Sequence, residues 1–68
     1  MKNNLRYYRE EKKLTQEELA KMAGVSRQSI ISIEKGHYIP TSLLALKLSV
    51  VLKIKTEDLF ILETKDWK

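Results

Sequence analysis

The chain has 68 residues, which is enough for one small domain near the lower size limit for folding without disulfides or metals. It contains no cysteine and one histidine, which excludes a disulfide framework and a metal site built from thiolates or histidines. We therefore expect no cofactor. The formal net charge of +4 and the isoelectric point of about 9.5 suit a polyanionic partner.

The sequence lacks the features of a membrane protein and of an enzyme. No apolar run reaches the roughly 18–20 residues of a membrane span, and the N-terminus has no signal-peptide core. We expect a soluble, cytoplasmic protein with no membrane partner. There is no paired nucleophile and base and no glycine-rich phosphate loop, and so small a domain does not enclose a substrate pocket. Enzyme function is therefore rejected, and no small-molecule ligand is evident.

The basic charge is not evenly distributed. Residues 56–68 contain four acidic and two basic side chains, and so carry a net charge of −2. The basic surplus therefore lies in residues 1–55, where we expect a polyanion to bind.

The first predicted helix runs from a cap at Asn3 or Asn4 to about Lys13. Leu5 and Tyr8 are expected on its inner face. The charged side chains make this helix basic: Arg6, Arg9, Lys12 and Lys13.

Thr15–Gly36 has the signals of two helices joined by a tight turn. Thr15 followed by Glu18 has the spacing of a capping box, which predicts the start of a helix over Gln16–Ala23. The apolar face of this second helix is predicted to contain Leu19, Ala20, Met22 and Ala23.

The turn and the third helix follow directly. Gly24 is expected to end the second helix, because glycine most readily adopts the left-handed backbone conformation found there. Ser26 is a good N-cap for a third helix over Arg27–Lys35. Ile30 and Ile33 are three residues apart and therefore lie on one face, which we expect to be buried.

Small or apolar residues occupy seven positions within eighteen residues: Leu19, Ala20, Ala23, Gly24, Val25, Ile30 and Ile33. Together with the caps, this pattern resembles the phage-repressor and Cro-type (XRE-type) helix-turn-helix family, from about Leu5 to Phe60. The resemblance implies an all-α, compact five-helix bundle of the lambda-repressor type. It also implies one domain over residues 1–68, with the helix-turn-helix at about 16–35.

In this family the third helix lies in the major groove of DNA. Arginine pairs well with guanine and glutamine with adenine, and serine is permissive. The candidates for base contacts, all predicted to be exposed, are Arg27, Gln28, Ser29 and Ser32. The candidates for phosphate contacts are Gln16, Ser26, Lys35, His37 and Arg9. The resemblance further implies that Arg9 pairs with Glu34 and braces their two helices.

The fourth predicted helix, Ser42 to about Lys53, is apolar on two sides. One stripe is assigned to the core and contains Leu44, Ala45, Leu48, Val51 and Leu52. The opposite stripe contains Leu43, Leu46 and Val50. Since a surface helix normally has polar residues on its outer side, this second stripe predicts contact with another chain.

Thr56 is predicted to cap a short fifth helix with Leu59 and Phe60 directed inward. The remaining tail, Ile61–Lys68, shows no helical period. It is either frayed, or extended and paired with Met1–Asn4 in a small sheet.

We interpret the chain as a sequence-specific regulator of transcription that binds double-stranded DNA, and as a repressor acting on a palindromic operator. Dimerisation is assigned to the second stripe of the fourth helix and to the tail (about residues 60–68), through Leu43, Leu46, Val50, Ile61, Leu62 and Trp67. The alternative to a dimer is that the fifth helix and the tail cover the fourth helix within one chain. The alternative functions are an antitoxin-type autoregulator and a helical interaction module that has lost DNA binding.

Overall fold

The computed structural model of the protein describes residues 1–68. Five α-helices form the body of the molecule: α1 (Leu5–Glu11), α2 (Gln16–Ala23), α3 (Arg27–Glu34), α4 (Ser42–Leu52) and α5 (Thr56–Leu59). Two short strands, β1 (Lys2–Asn3) and β2 (Phe60–Ile61), and a 3-10 turn (Thr64–Trp67) complete it. The predicted all-α class with a small terminal β pairing is confirmed. None of the helices has the length and apolar character that crossing a membrane requires.

The predicted start and end of α2 are confirmed. The Thr15 hydroxyl accepts from the Glu18 backbone N–H at 3.0 Å, and the Glu18 carboxylate accepts from the Thr15 backbone N–H at 2.8 Å. At the other end, Gly24 adopts a left-handed conformation with φ of 71°. Ser26 and Thr41 cap α3 and α4. The hydroxyl of each accepts from the backbone N–H three residues later.

Three predicted helix boundaries are wrong. α3 ends at Glu34, and Lys35 is the cap residue that follows it. α1 ends at Glu11 rather than near Lys13, because Lys13 turns into the left-handed region and the Leu14 N–H bonds to the carbonyl of Arg9. Thr56 is the first residue of α5 rather than its cap, and the residue in the cap position is Lys55, which makes no side-chain cap.

The core is a single cluster to which all five helices contribute. Its buried apolar side chains are Leu5, Leu19, Ala20, Ala23, Ile30, Ile33, Leu44, Leu48, Leu52, Leu59 and Phe60. Ala45 and Val51 are only half-buried. Met22 was predicted to face this core but is 56% exposed, since it lies at the edge of α2 that opens toward the outer side of α4.

The two ends of the chain meet in the sheet. β1 and β2 are antiparallel, with Lys2 opposite Ile61 and Asn3 opposite Phe60. The pairing confirms the extended alternative for the start of the tail and excludes fraying there. Beyond β2, the carboxylates of Glu63 and Asp66 form ion pairs with the N-terminal ammonium group of Met1, at 3.2 Å and 3.1 Å.

The tail does not cover α4. Leu43, Leu46 and Val50 remain 65%, 55% and 75% exposed, so the alternative of intramolecular coverage is wrong. Leu62 and Trp67 are exposed as well, while Ile61 is half-buried in β2.

Candidate nucleic-acid interface

α2 and α3 are held at a fixed angle by the turn between them. Gly24 supplies the left-handed residue, and the Val25 N–H bonds to the carbonyl of Ala20 at 3.0 Å. Ala20 is itself buried, and its small side chain allows α2 and α3 to approach closely. The inner side of α3 is fixed by Ile30 and Ile33, which are fully buried. The opposite side of α3 is therefore presented to solvent.

The outer side of α3 carries most of the predicted base-contact residues. Arg27 and Gln28 are exposed at its N-terminus. Ser29 and Ser32 were predicted to be exposed but are half-buried. The Ser29 hydroxyl lies 3.1 Å from that of Ser26, so it is bonded within the first turn of the helix. The two serines therefore offer less accessible surface than Arg27 and Gln28.

An open groove of ≈ 770 Å³ lies beside α3 and the N-terminus of α2. Its lining contains five basic and three acidic side chains and a single apolar one. The lining residues are Arg6, Arg9, Thr15, Gln16, Glu17, Glu18, Lys21, Arg27, Ile31, Glu34 and Lys35. Such a polar, net-basic surface suits an anionic polymer rather than an apolar small molecule.

The groove includes residues that the sequence interpretation missed, notably Lys21 and Ile31. The helical spacing of both residues could have predicted their position on the groove side of their helices. Ile31 is four residues from Arg27 and four from Lys35, so these three share one face of α3. Lys21 follows Glu17 by four residues on α2. Gln28, Ser26, Ser32 and the exposed loop residue His37 lie outside the groove lining.

Arg9 and Glu34 form a largely enclosed ion pair in the wall of the groove. Arg9 Nε lies 2.6 Å from Glu34 Oε2, and Arg9 NH2 lies 3.3 Å from Oε1. Arg9 NH1 donates to the carbonyl of Leu14 at 2.8 Å. The two side chains are 10% and 5% exposed. These three bonds hold the guanidinium in place, while NH1 and NH2 each keep one further N–H and Arg9 lines the groove, so its expected phosphate contact stays a prediction.

The N-terminus of α2 is open to the groove. Its capping box ties up the Thr15 and Glu18 N–H groups, but the backbone N–H groups of Gln16 and Glu17 have no partner in the protein. Free N–H groups at a helix N-terminus attract anions. The pKa of Glu18 is lowered because its carboxylate accepts the Thr15 backbone N–H.

The residues predicted for dimerisation fall into two separate surfaces. Leu43, Leu46 and Val50 on α4 join Met22 of α2 along an apolar groove of ≈ 520 Å³, with Lys21 and Lys47 also in its lining. We call this the α4 surface. The tail surface, which consists of Ile61, Leu62 and Trp67, belongs to β2 and the residues that follow it.

Comparisons with known proteins agree on one class. A family model described as helix-turn-helix matches residues 5–59. A protein named as an uncharacterized HTH-type transcriptional regulator of Methanocaldococcus jannaschii is 57% identical over 63 residues, which cover 93% of this chain and 96% of that protein. A Bacillus subtilis protein described in the same terms is 42% identical over 66 residues, covering 97% of this chain and all of its own length.

Among solved structures, the restriction-modification controller protein C.AhdI from Aeromonas hydrophila superposes with a TM-score of 0.78 at 35% sequence identity. The superposition covers 84% of this chain and 86% of C.AhdI. The fold and the relatives are those of transcriptional regulators and not of enzymes.

Proposed function

Since this chain belongs to the XRE-type helix-turn-helix family of transcriptional regulators, we propose that it is a repressor that binds a palindromic operator in double-stranded DNA as a homodimer. The observation that carries the proposal is the exposure of Arg27 and Gln28 at the start of α3, next to a polar groove with a basic surplus.

Sequence recognition is assigned to the N-terminal half of α3. The Arg27 guanidinium has the donors for bidentate bonding to guanine O6 and N7, and the Gln28 carboxamide has the donor and acceptor for adenine. Neither side chain forms a hydrogen bond or ion pair within the protein, so both are free to contact bases. Ser29 and Ser32 are half-buried, and we assign them weaker base contacts.

Phosphate binding is assigned to groups that border α3. Lys35 and Lys21 carry positive charge at the groove, and Gln16 adds a backbone N–H at the start of α2. Ser26 and His37 are exposed at the two ends of α3 and complete the set. Because phosphate contacts release counterions, this binding should weaken steeply as salt concentration increases.

The homodimer is assigned to the α4 surface, with the tail surface as the second contributor. Contiguous apolar patches of this kind are uncommon on monomers and mark sites of association. A two-fold dimer also provides the specificity that one helix in one groove does not supply. Its two α3 helices should then lie about 34 Å apart, which is one turn of DNA.

Selection from a random DNA library with the purified protein tests this function. The expected product is an inverted repeat whose half-site centres are about 10 base pairs apart. A promoter that overlaps the selected site should then give less transcript in vitro when the protein is added. Recovery of unenriched sequences would overturn sequence-specific binding, and unchanged or increased transcription would overturn repression.

A further inference from the structure

Glu34 joins three helices at the back of the DNA-facing groove. Besides the two contacts from Arg9 of α1, its Oε1 accepts from Gln16 Nε2 at 3.1 Å. Gln16 is the first residue of α2 and lines the groove together with Arg27 and Lys35. Glu34 is therefore in direct contact with a residue of the proposed phosphate-binding set.

The contact fixes which way the Gln16 carboxamide faces. A carboxylate only accepts hydrogen bonds, so the NH2 group and not the carbonyl oxygen of Gln16 must lie against Glu34. One N–H is used in this bond. The second N–H and the carbonyl oxygen have no partner within the protein and remain available at the groove.

Glu34 is itself immobilised. Its side chain is 5% exposed and receives two bonds from Arg9, whose third nitrogen is held by the carbonyl of Leu14. A continuous series of hydrogen bonds therefore runs from the backbone at Leu14 through Arg9 and Glu34 to Gln16. The charge of Arg9 also offsets that of Glu34, which would otherwise repel a phosphate near the groove.

We propose that Glu34 is a positioning residue for DNA binding. It holds the Gln16 carboxamide in an orientation in which the free N–H of that carboxamide donates to a phosphate oxygen. This inference rests on the proposed function. The backbone N–H of Gln16 also lacks a partner, so this residue offers an anion two donors, one of which is preset by Glu34. Fixing the amide before binding removes the cost of ordering it on the DNA.

The positioning role predicts coupling between Glu34 and Gln16 in DNA affinity. Gln16→Ala should weaken binding several-fold to operator and to random DNA alike, because a phosphate contact carries no sequence information. Glu34→Gln leaves one acceptor oxygen, for which Arg9 and Gln16 compete, and its NH2 group repels the donors of both, so it should weaken binding by a similar factor. In the double variant, Glu34→Gln should add almost nothing to the loss caused by Gln16→Ala. Lys35→Ala is the matched control, and its loss should multiply with that of Glu34→Gln.

Glu34→Asp separates positioning from folding. The shorter carboxylate keeps the charge opposite Arg9 but withdraws the acceptor from Gln16, and its DNA affinity should fall as it does in Glu34→Gln. In the free wild type, NMR should show two well-separated Gln16 side-chain amide protons, one of them slow to exchange. Both features should be lost in Glu34→Asp.

The outcomes are distinguishable. If the wild type binds no DNA, the proposed function fails. If it binds but the losses from Glu34→Gln and Gln16→Ala multiply fully, the proposed function stands and the positioning role is overturned. Gln16 amide signals that are the same in the wild type and in Glu34→Asp would overturn the anchoring itself.

Discussion

Arg27 and Gln28 are exposed where α3 begins, and neither side chain forms a hydrogen bond or an ion pair within the protein. Replacing either with alanine should weaken binding to the selected operator by about 1–3 kcal/mol, while leaving binding to random DNA nearly unchanged. Fluorescence anisotropy on both DNAs measures this difference. Lys55→Ala, which removes the same charge at the start of α5, is the control and should affect both DNAs weakly. Equal losses on both DNAs for Arg27→Ala would reassign that side chain to phosphate binding.

Lys53 ends α4 in the left-handed conformation with φ of 57°. That conformation costs a residue with a Cβ about 1–2 kcal/mol, whereas glycine adopts it freely. Part of the free energy gained by relieving this conformation is offset, because glycine increases the conformational entropy of the unfolded chain. Lys53→Gly should therefore stabilise the fold by about 0.5–1 kcal/mol and increase Tm by about 2–8 °C. Lys53→Ala is the control and should melt near the wild type. A lower Tm for the glycine variant would refute the explanation.

At the scale of helices, the Arg9–Glu34 pair connects α1 to α3 from an enclosed position. Removing one partner leaves a poorly solvated charge, which costs about 3–5 kcal/mol when the site is buried. Arg9→Ala and Glu34→Ala should each melt clearly lower than the wild type. A double-mutant cycle in urea should show a coupling near or above about 1 kcal/mol.

The chain offers a matched control for that cycle. Arg6 and Glu10 form an ion pair of 3.2 Å on the exposed side of α1. Their alanine variants should change stability by no more than about 0.5 kcal/mol. Additive effects of Arg9→Ala and Glu34→Ala would show that the enclosed pair behaves like this surface pair and does not brace α1 against α3.

The helix-turn-helix was predictable because its signals are local. Thr15 and Glu18 are three residues apart, and Gly24 and Ser26 follow in the same stretch, so each signal is satisfied by neighbouring atoms. The end of α1 was missed because Lys13 adopts a left-handed conformation for which lysine gives no sequence signal.

Exposure was harder to predict than helix position. Met22 has the spacing of a core residue on α2, but the course of α4 leaves it exposed. Ser29 lies on the outer side of α3 by spacing, yet its hydroxyl bonds to the cap. The contact between Gln16 and Glu34 joins residues 18 apart in sequence, and only the packed arrangement of α2 and α3 reveals it.

At the scale of the whole molecule, the apolar α4 surface is the feature that a monomer does not explain. We expect sedimentation equilibrium at micromolar concentration to give about twice the chain mass of 8.0 kDa. Leu46→Glu should produce the monomer, since it buries a charge in the interface. Truncation after Phe60 should weaken the dimer by removing the whole tail surface.

Leu62→Glu is the matched variant for the dimer test, because it places the same charge on the tail surface instead of the α4 surface. A larger effect of Leu46→Glu would assign the main contact to α4. Both side chains are exposed in the single chain, so neither change should unfold it. A clean 8.0 kDa species that neither change alters would contradict the homodimer.

The proposed function requires α3 to distinguish one DNA sequence from another. Its most direct test is the ratio of dissociation constants for the selected operator and for a scrambled duplex of equal length, measured for the wild type at near-physiological salt. We expect the operator to bind at least about a thousand-fold more tightly than the scrambled duplex. A ratio near one, with both duplexes bound equally and released together as salt increases, would contradict it.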